Sequence, residues 1–157
     1  VKCWYQHNYV VSKMPVPFET TLEVRDSCLC LHAQRAARAL ARRFDEVLRP
    51  VGLTNGQFSL LMSLNRPEPP PMKPVADLLA MDRTTLTAAL KPLERRGLVS
   101  IEVGLKDRRS RRLRLTDQGR EVLASAVPIW RETHRAIEAG LPGLDANGLR
   151  AALVALS

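Results

Sequence analysis

Long apolar runs are missing from this chain. No segment approaches the roughly 18 consecutive apolar residues of a membrane-spanning helix, so no membrane association is expected. The opening residues Val1-Lys2-Cys3-Trp4-Tyr5-Gln6-His7 also lack the apolar centre of a secretory signal. Cysteine is scarce. Three in 157 residues, one necessarily unpaired within the chain, argue against a secreted disulfide scaffold and make a reducing cytoplasm the expected compartment. Signatures of catalysis are missing too: there is no G-x-S-x-G, no H-E-x-x-H, no glycine-rich phosphate loop and no pair of carboxylates near a histidine. Neither an enzyme nor a cofactor is expected. Acidic side chains are in deficit, 16 against 24 basic ones, for a net charge of +8.

That charge is concentrated. From Lys91 to Arg114 nine basic residues face three acidic ones, a net charge of +6 in the window. A basic stripe of this density attracts a polyanion and releases its counterions. Charge alone would equally describe a solvated basic face. The pattern around it favours the polyanion. A helix ends in Leu93-Glu94-Arg95-Arg96-Gly97-Leu98-Val99, and a short strand and the basic tip Lys106-Asp107-Arg108-Arg109-Ser110-Arg111-Arg112 follow. A returning strand, Leu113-Arg114-Leu115, leads into Thr116-Asp117-Gln118-Gly119 and another helix. A helix can enter a major groove while such a hairpin reaches the adjacent minor groove or backbone.

At this length the chain supports one domain with a real core. Residues 1–20 hold Trp4, Tyr5, Tyr9, Pro15 and Pro17 without helical periodicity and read as a tail. Met14 offers an alternative start, which leaves open whether 1–13 belong to the natural protein. A domain over 21–157 follows. Its first long helix is expected from about Ser27 to Leu48, because Leu31, Ala36, Leu40, Phe44, Val47 and Leu48 recur at helical spacing. Thr54 should cap a helix from Asn55 to Asn65 with Phe58, Leu61, Met62 and Leu64 inward. Arg66-Pro67-Glu68-Pro69-Pro70-Pro71 cannot be helical and reads as a stiff spacer.

Met72–Ala80 and Arg83–Arg96, the second capped by Asp82, make a helix-turn-helix. Leu86, Leu90 and Leu93 point inward. Arg83, Thr84, Thr85, Thr87, Ala88 and Lys91 are left for DNA, since threonine hydroxyls serve base edges or phosphates and arginine pairs with guanine. Pro92 should bend this helix beyond the half that enters a groove. Val99–Val103 and Arg112–Leu115 alternate as the two strands of a wing, and Gly104 turns the chain out into its tip. Thr116 caps a helix to about Ala139, broken or kinked at Pro128, and Asp145 caps a last one.

The terminal helices carry more apolar surface than a small core needs. Leu29, Leu31, Val127, Ile129, Trp130, Ile137, Leu141, Leu144, Leu149, Leu153 and Leu156 call for a partner. The expected answer is a two-fold homodimer, with 27–50 and 120–157 as dimerisation helices and 54–119 as the DNA-binding lobe. Dimer symmetry predicts a pseudo-palindromic double-stranded DNA site with half-sites about one helical turn apart.

In order and spacing these residues resemble the MarR (multiple antibiotic resistance regulator) family of bacterial transcription factors. The resemblance runs from Ser27 onward through Gly52-Leu53-Thr54, Val75-Ala76-Asp77-Leu78-Leu79, Asp82-Arg83-Thr84-Thr85-Leu86-Thr87, Leu93–Val99, Asp107-Arg108-Arg109 and Leu115–Gly119. It implies a mainly α winged helix-turn-helix homodimer, regulating transcription, usually as a repressor released by a small molecule or by oxidation. By position it also implies that Asp107 orients Arg109 toward the minor groove, a role a bidentate carboxylate suits. Arg108 and Arg111 would add phosphate contacts. Ala88 replaces the arginine or other polar residue of many relatives, which suggests a preference for a thymine methyl.

Three signals stay open. Cys28 and Cys30 lie at the mouth of the first long helix, where N–H groups favour the thiolate. Cys30 matches the position of the reactive cysteine in the organic-peroxide-sensing (OhrR-like) branch, but Gln34 and Phe44 stand where that branch has tyrosines. The alternative is a cysteine that is only a small apolar side chain. A metal held by Cys28, Cys30 and His32 lacks a fourth ligand, so no metal is expected. A small-molecule effector would bind near Phe44, Phe58, Met62 and Trp130, residues that equally suit plain core. A winged-helix interaction module without DNA binding is the remaining alternative.

Overall fold

The computed structural model describes residues 15–103, 111–141 and 143–156, and the statements below concern those residues. The chain divides into two compact units, Val1–Leu40 and Ala41–Ser157.

In the first unit, helix α1 (Phe18–Ser27) begins directly after Pro17. Residues 18–20, which the sequence placed in the tail, are the first turn of this helix. The long helix expected from about Ser27 to Leu48 is present, starting at Leu29, and a break at Cys28 separates it from α1. Cys28 takes an extended conformation that ends α1, and α2 (Leu29–Leu48) starts at the next residue. The Cys28 Sγ accepts the Leu31 N–H at 3.4 Å, so the cysteine serves as a cap for α2. No proline or glycine announces this break.

The second unit holds the core. After the last turns of α2 and a 3₁₀ turn (Arg49–Val51) come α3 (Asn55–Leu64), α4 (Met72–Leu78) and α5 (Arg83–Arg95). Strands β1 (Val99–Val103) and β2 (Arg111–Leu115), the long α6 (Asp117–Ala139) and α7 (Ala146–Ala155) complete it. Among the described residues this makes seven helices and one hairpin, the expected class. Each boundary has a local cause. Thr54 and Gln57 form a reciprocal capping box at α3, where each side chain satisfies the other's backbone N–H. Asp45, on α2, adds a cap of its own, its Oδ1 accepting the Asn55 N–H at 2.6 Å. Thr54→Ala should therefore cost about 1 kcal/mol, read as a fall of roughly 2–4 °C in Tm at fixed protein concentration. An unchanged melt would show the box to be dispensable.

Helix α5 stops for reasons written into its sequence. Gly97 adopts φ +69°, its N–H reaches the Glu94 carbonyl at 2.9 Å, and the Leu98 N–H reaches the Leu93 carbonyl at 3.0 Å. This is the paired-bond left-handed cap, and the buried leucines 93 and 98 supply its apolar contact. The turn between α4 and α5 repeats the pattern with Ala80 at φ +50° and Met81 N–H on the Ala76 carbonyl. Alanine pays a steric penalty there that glycine would not. Pro92 and Pro128 both sit inside continuous helices, so α6 is not broken.

Strands β1 and β2 are antiparallel with Val99 opposite Leu115, Ile101 opposite Leu113 and Val103 opposite Arg111. Leu113 and Leu115 are buried and Arg112 and Arg114 exposed, the alternation expected of a wing with one wet face. The proline connector is more than a spacer. Pro71 bridges Arg112, the Leu113 N–H bonds the Pro70 carbonyl at 2.9 Å, and Arg112 Nη1 bonds the Pro69 carbonyl at 2.9 Å. Prolines offer carbonyls but no N–H, so this edge accepts bonds and donates none. One apolar cluster joins Phe44 and Leu48 of α2 to α3, α4, α5, the hairpin and Leu123 and Ala126 of α6. Val127, Ile129, Trp130 and Ile137, expected to await a partner, pack partly on this cluster. Leu29, Leu141, Leu144, Leu149, Leu153 and Leu156 are exposed as expected.

Candidate nucleic-acid interface

Helix α5 sorts its side chains into two faces. Leu86, Leu90 and Leu93 are fully buried. Arg83, Thr84, Thr85, Thr87, Ala88 and Lys91 are all exposed, as the helical period requires. Asp82 fixes the entry of the helix by accepting the Thr85 N–H and its hydroxyl, both at 2.8 Å. Those bonds, the backbone one first, hold the Asp82 carboxyl below the usual carboxylate range. The Thr87 hydroxyl donates to the Arg83 carbonyl at 2.7 Å. Thr85 and Thr87 have therefore spent their protons and face outward as acceptors, the partner that adenine N6 or cytosine N4 amino groups require. Arg83 and Lys91 have no ion-pair partner among the described residues, so their charges are available to phosphate or guanine.

Two outward arginines of the hairpin have partners within the chain. Arg112 is tied to Pro69, and Arg114 makes a two-point ion pair with Glu102 across the strands. The pair raises the Arg114 pKa and lowers that of Glu102. These two side chains shape the wing. Arg111 is exposed at the start of β2. Asp107, Arg108 and Arg109 lie outside the described residues, as does Gly104. Sequence reasoning missed Arg96 as well. Its Nη1 contacts Gln57 Oε1 at 3.4 Å, joining the end of α5 to the start of α3.

The other expected sites separate. Phe58, Met62 and Trp130 line a cleft of about 420 Å³ between α3 and α6, with Leu78, Val127 and Arg131 completing its wall. Phe58 and Trp130 stack with centroids 6.0 Å apart. Phe44 does not line it. At 7% exposure it is committed to the core, because its turn of α2 faces the cluster. Cys30 is exposed and Cys28 half-buried. The Cys30 sulfur accepts the Gln34 amide at 3.1 Å, and Gln34 in turn accepts from Arg38 at 3.0 Å. Gln34 thus donates to the sulfur from one of the two tyrosine positions. His32 Nδ1 engages the Cys28 carbonyl at 2.9 Å. Among the described residues no group of three His, Cys, Asp or Glu could hold a metal ion, and no helix is long and apolar enough to cross a membrane.

Comparisons with known proteins agree with this geometry. The family model described as the MarR family matches residues 53–110. The crystal structure of the Mycobacterium tuberculosis transcriptional regulator MosR in complex with DNA is 38% identical, with a TM-score of 0.75, over 83% of this chain and 93% of that one. The transcriptional repressor CouR, bound to a 23-mer DNA duplex, is 32% identical, with a TM-score of 0.69, over 85% of this chain and 92% of that one. The organic hydroperoxide resistance transcriptional regulator of Bacillus subtilis is 29% identical over 101 residues, 64% of this chain and 69% of that one. These relatives are transcriptional regulators, a non-enzymatic class.

Proposed function

The chain belongs to the MarR family of DNA-binding transcriptional regulators, and from that premise we propose that it is a homodimeric repressor which a chemical signal releases from its operator. The observation that carries this is the exposed face of α5, where Arg83 and Lys91, without ion-pair partners among the described residues, stand beside exposed Thr84, Thr87 and Ala88 above a fully buried leucine face. Arg83, Thr84, Thr85 and Thr87 meet base edges and nearby phosphates in the major groove, and Lys91 meets phosphate. The wing, through Arg109 oriented by Asp107 and flanked by Arg108 and Arg111, meets the minor groove. The exposed leucines of α7 and of the loop before it are covered in the dimer. Such a protein works on the chromosome in the cytoplasm and has no catalytic role. The signal is a small molecule taken up by the cleft at Phe58, Met62 and Trp130.

The test is a DNA titration against the chain's own upstream region at two salt concentrations. Tight two-fold-site binding that falls steeply with salt is expected. Arg109→Ala should weaken specific binding by about 1–3 kcal/mol. Salt-insensitive binding, or wild-type affinity in that variant, would sink the assignment.

A second reading has its own observation. The sulfurs of Cys28 and Cys30 each accept an N–H. An organic hydroperoxide could then oxidise Cys30: the thiolate sulfur takes the outer oxygen, the O–O bond breaks and an alcohol leaves. A second thiol then displaces water from the sulfenic acid to form a disulfide. Peroxide should release DNA from the wild-type chain and not from Cys30→Ser. A response that survives in the variant would remove this reading.

A further inference from the structure

The cleft at Trp130 continues along the protein. A second cleft of about 330 Å³ shares Met62, Val127 and Arg131 with it and extends past Leu123 to Asn65 and Arg120. On α6 the positions 120, 123, 124, 127 and 131 follow helical spacing, so the two clefts form one track beside α3. From Arg120 to Arg131 this track runs about 16 Å at the rise of an α-helix. Its middle is apolar. One end is aromatic, with Trp130 stacked on Phe58.

The charges sit at the two ends. Arg131 has no hydrogen-bond or ion-pair partner among the described residues. Among the described residues Arg120 is held only at Nε, by Asp117 at 3.3 Å, which leaves its terminal nitrogens to the track. We propose that the effector is an elongated amphipathic carboxylate, its acid paired with Arg131 and its apolar body lying along Trp130, Val127, Met62 and Leu123. This deepens the small-molecule reading above and rests on it. A carboxylate is the group whose two oxygens match a guanidinium fork. A short aryl acid fills the first cleft and leaves the second one wet. A neutral chain of the same length fills the track and leaves Arg131 without a counter-charge. The shape and the charge therefore select both length and acid.

The test uses the whole chain carrying Trp4→Phe, which leaves Trp130 as its one tryptophan. Tryptophan fluorescence is followed on titration with dodecanoate, dodecanol and benzoate, and again in Arg131→Ala and Arg131→Lys. Dodecanoate should bind at least tenfold more tightly than either other probe. Arg131→Ala should erase its advantage over dodecanol, and Arg131→Lys should keep part of it. Equal binding of dodecanol or of benzoate, a preference that survives Arg131→Ala, or no binding of dodecanoate would overturn the proposal. Dodecanoate that binds but leaves DNA affinity unchanged would overturn its role as effector. DNA affinity without any probe tests the regulator reading separately, so the two failures are distinguishable.

Discussion

Gly119→Ala should destabilise the protein by about 3 kcal/mol, or roughly 6–12 °C in Tm. A Cβ at this position would stand 2.2 Å from the Leu98 carbonyl oxygen and 2.8 Å from Leu115 Cδ1. Both neighbours are held. The Leu98 carbonyl accepts the Thr116 N–H at 3.2 Å, and Leu115 is 1% exposed within the hairpin's buried face. The first turn of α6 would have to lift off the hairpin. Helix propensity alone argues the opposite way, since alanine is worth about 1 kcal/mol over glycine inside a helix. A clash with main chain at 2.2 Å outweighs it. A thermal melt decides. A rise in Tm would show that the contact between α6 and the hairpin relaxes freely.

The largest functional effect is expected at a residue with almost no side chain. Ala88 is exposed one turn after Thr84 and beside Thr87. A glutamate there would carry a carboxylate into a groove walled by phosphates and displace whatever base contact the methyl makes. Ala88→Glu should lower operator affinity by roughly a hundredfold or more, the upper end of the 1–3 kcal/mol that a lost base contact costs plus repulsion. Stability should change by only a few tenths of a kcal/mol, because glutamate is a good helix former on a wet face. Wild-type affinity with a wild-type melt would mean that this face of α5 does not enter the groove.

The features legible in the sequence were those with local causes. Leu93–Val99 could be read as a helix end because Gly97 supplies the left-handed cap and the leucines 93 and 98 its apolar contact, all within six residues. Leu115–Gly119 could be read as a helix start because the Thr116 hydroxyl accepts the Gly119 N–H at 3.0 Å. The exposed face of α5 followed from its period. What escaped the reading depends on residues distant in sequence. Arg112 was expected only to point outward from its strand, and the Pro69 carbonyl that holds it lies 43 residues earlier. Phe44 has the size and polarity of a cleft wall, and only the packing of its turn decides that it faces the core. The cap that Asp45 gives α3 spans ten residues and two helices. The interruption at Cys28 carries no breaker residue at all.

The contact between the proline connector and the wing bears on how the chain tolerates change. Surface loops usually accept extra residues at little cost, since loop length enters stability only logarithmically. The connector gives up that latitude where its carbonyls serve as acceptors for β2, at Pro69 and Pro70, and where Pro71 bridges Arg112. One inserted residue among these three would shift the register of the pairing and tilt the hairpin relative to α5. Pro67 and Glu68, exposed and outside the pairing, keep the freedom of an ordinary loop. A length change a few residues apart would thus be silent at one position and would re-aim the wing at the other.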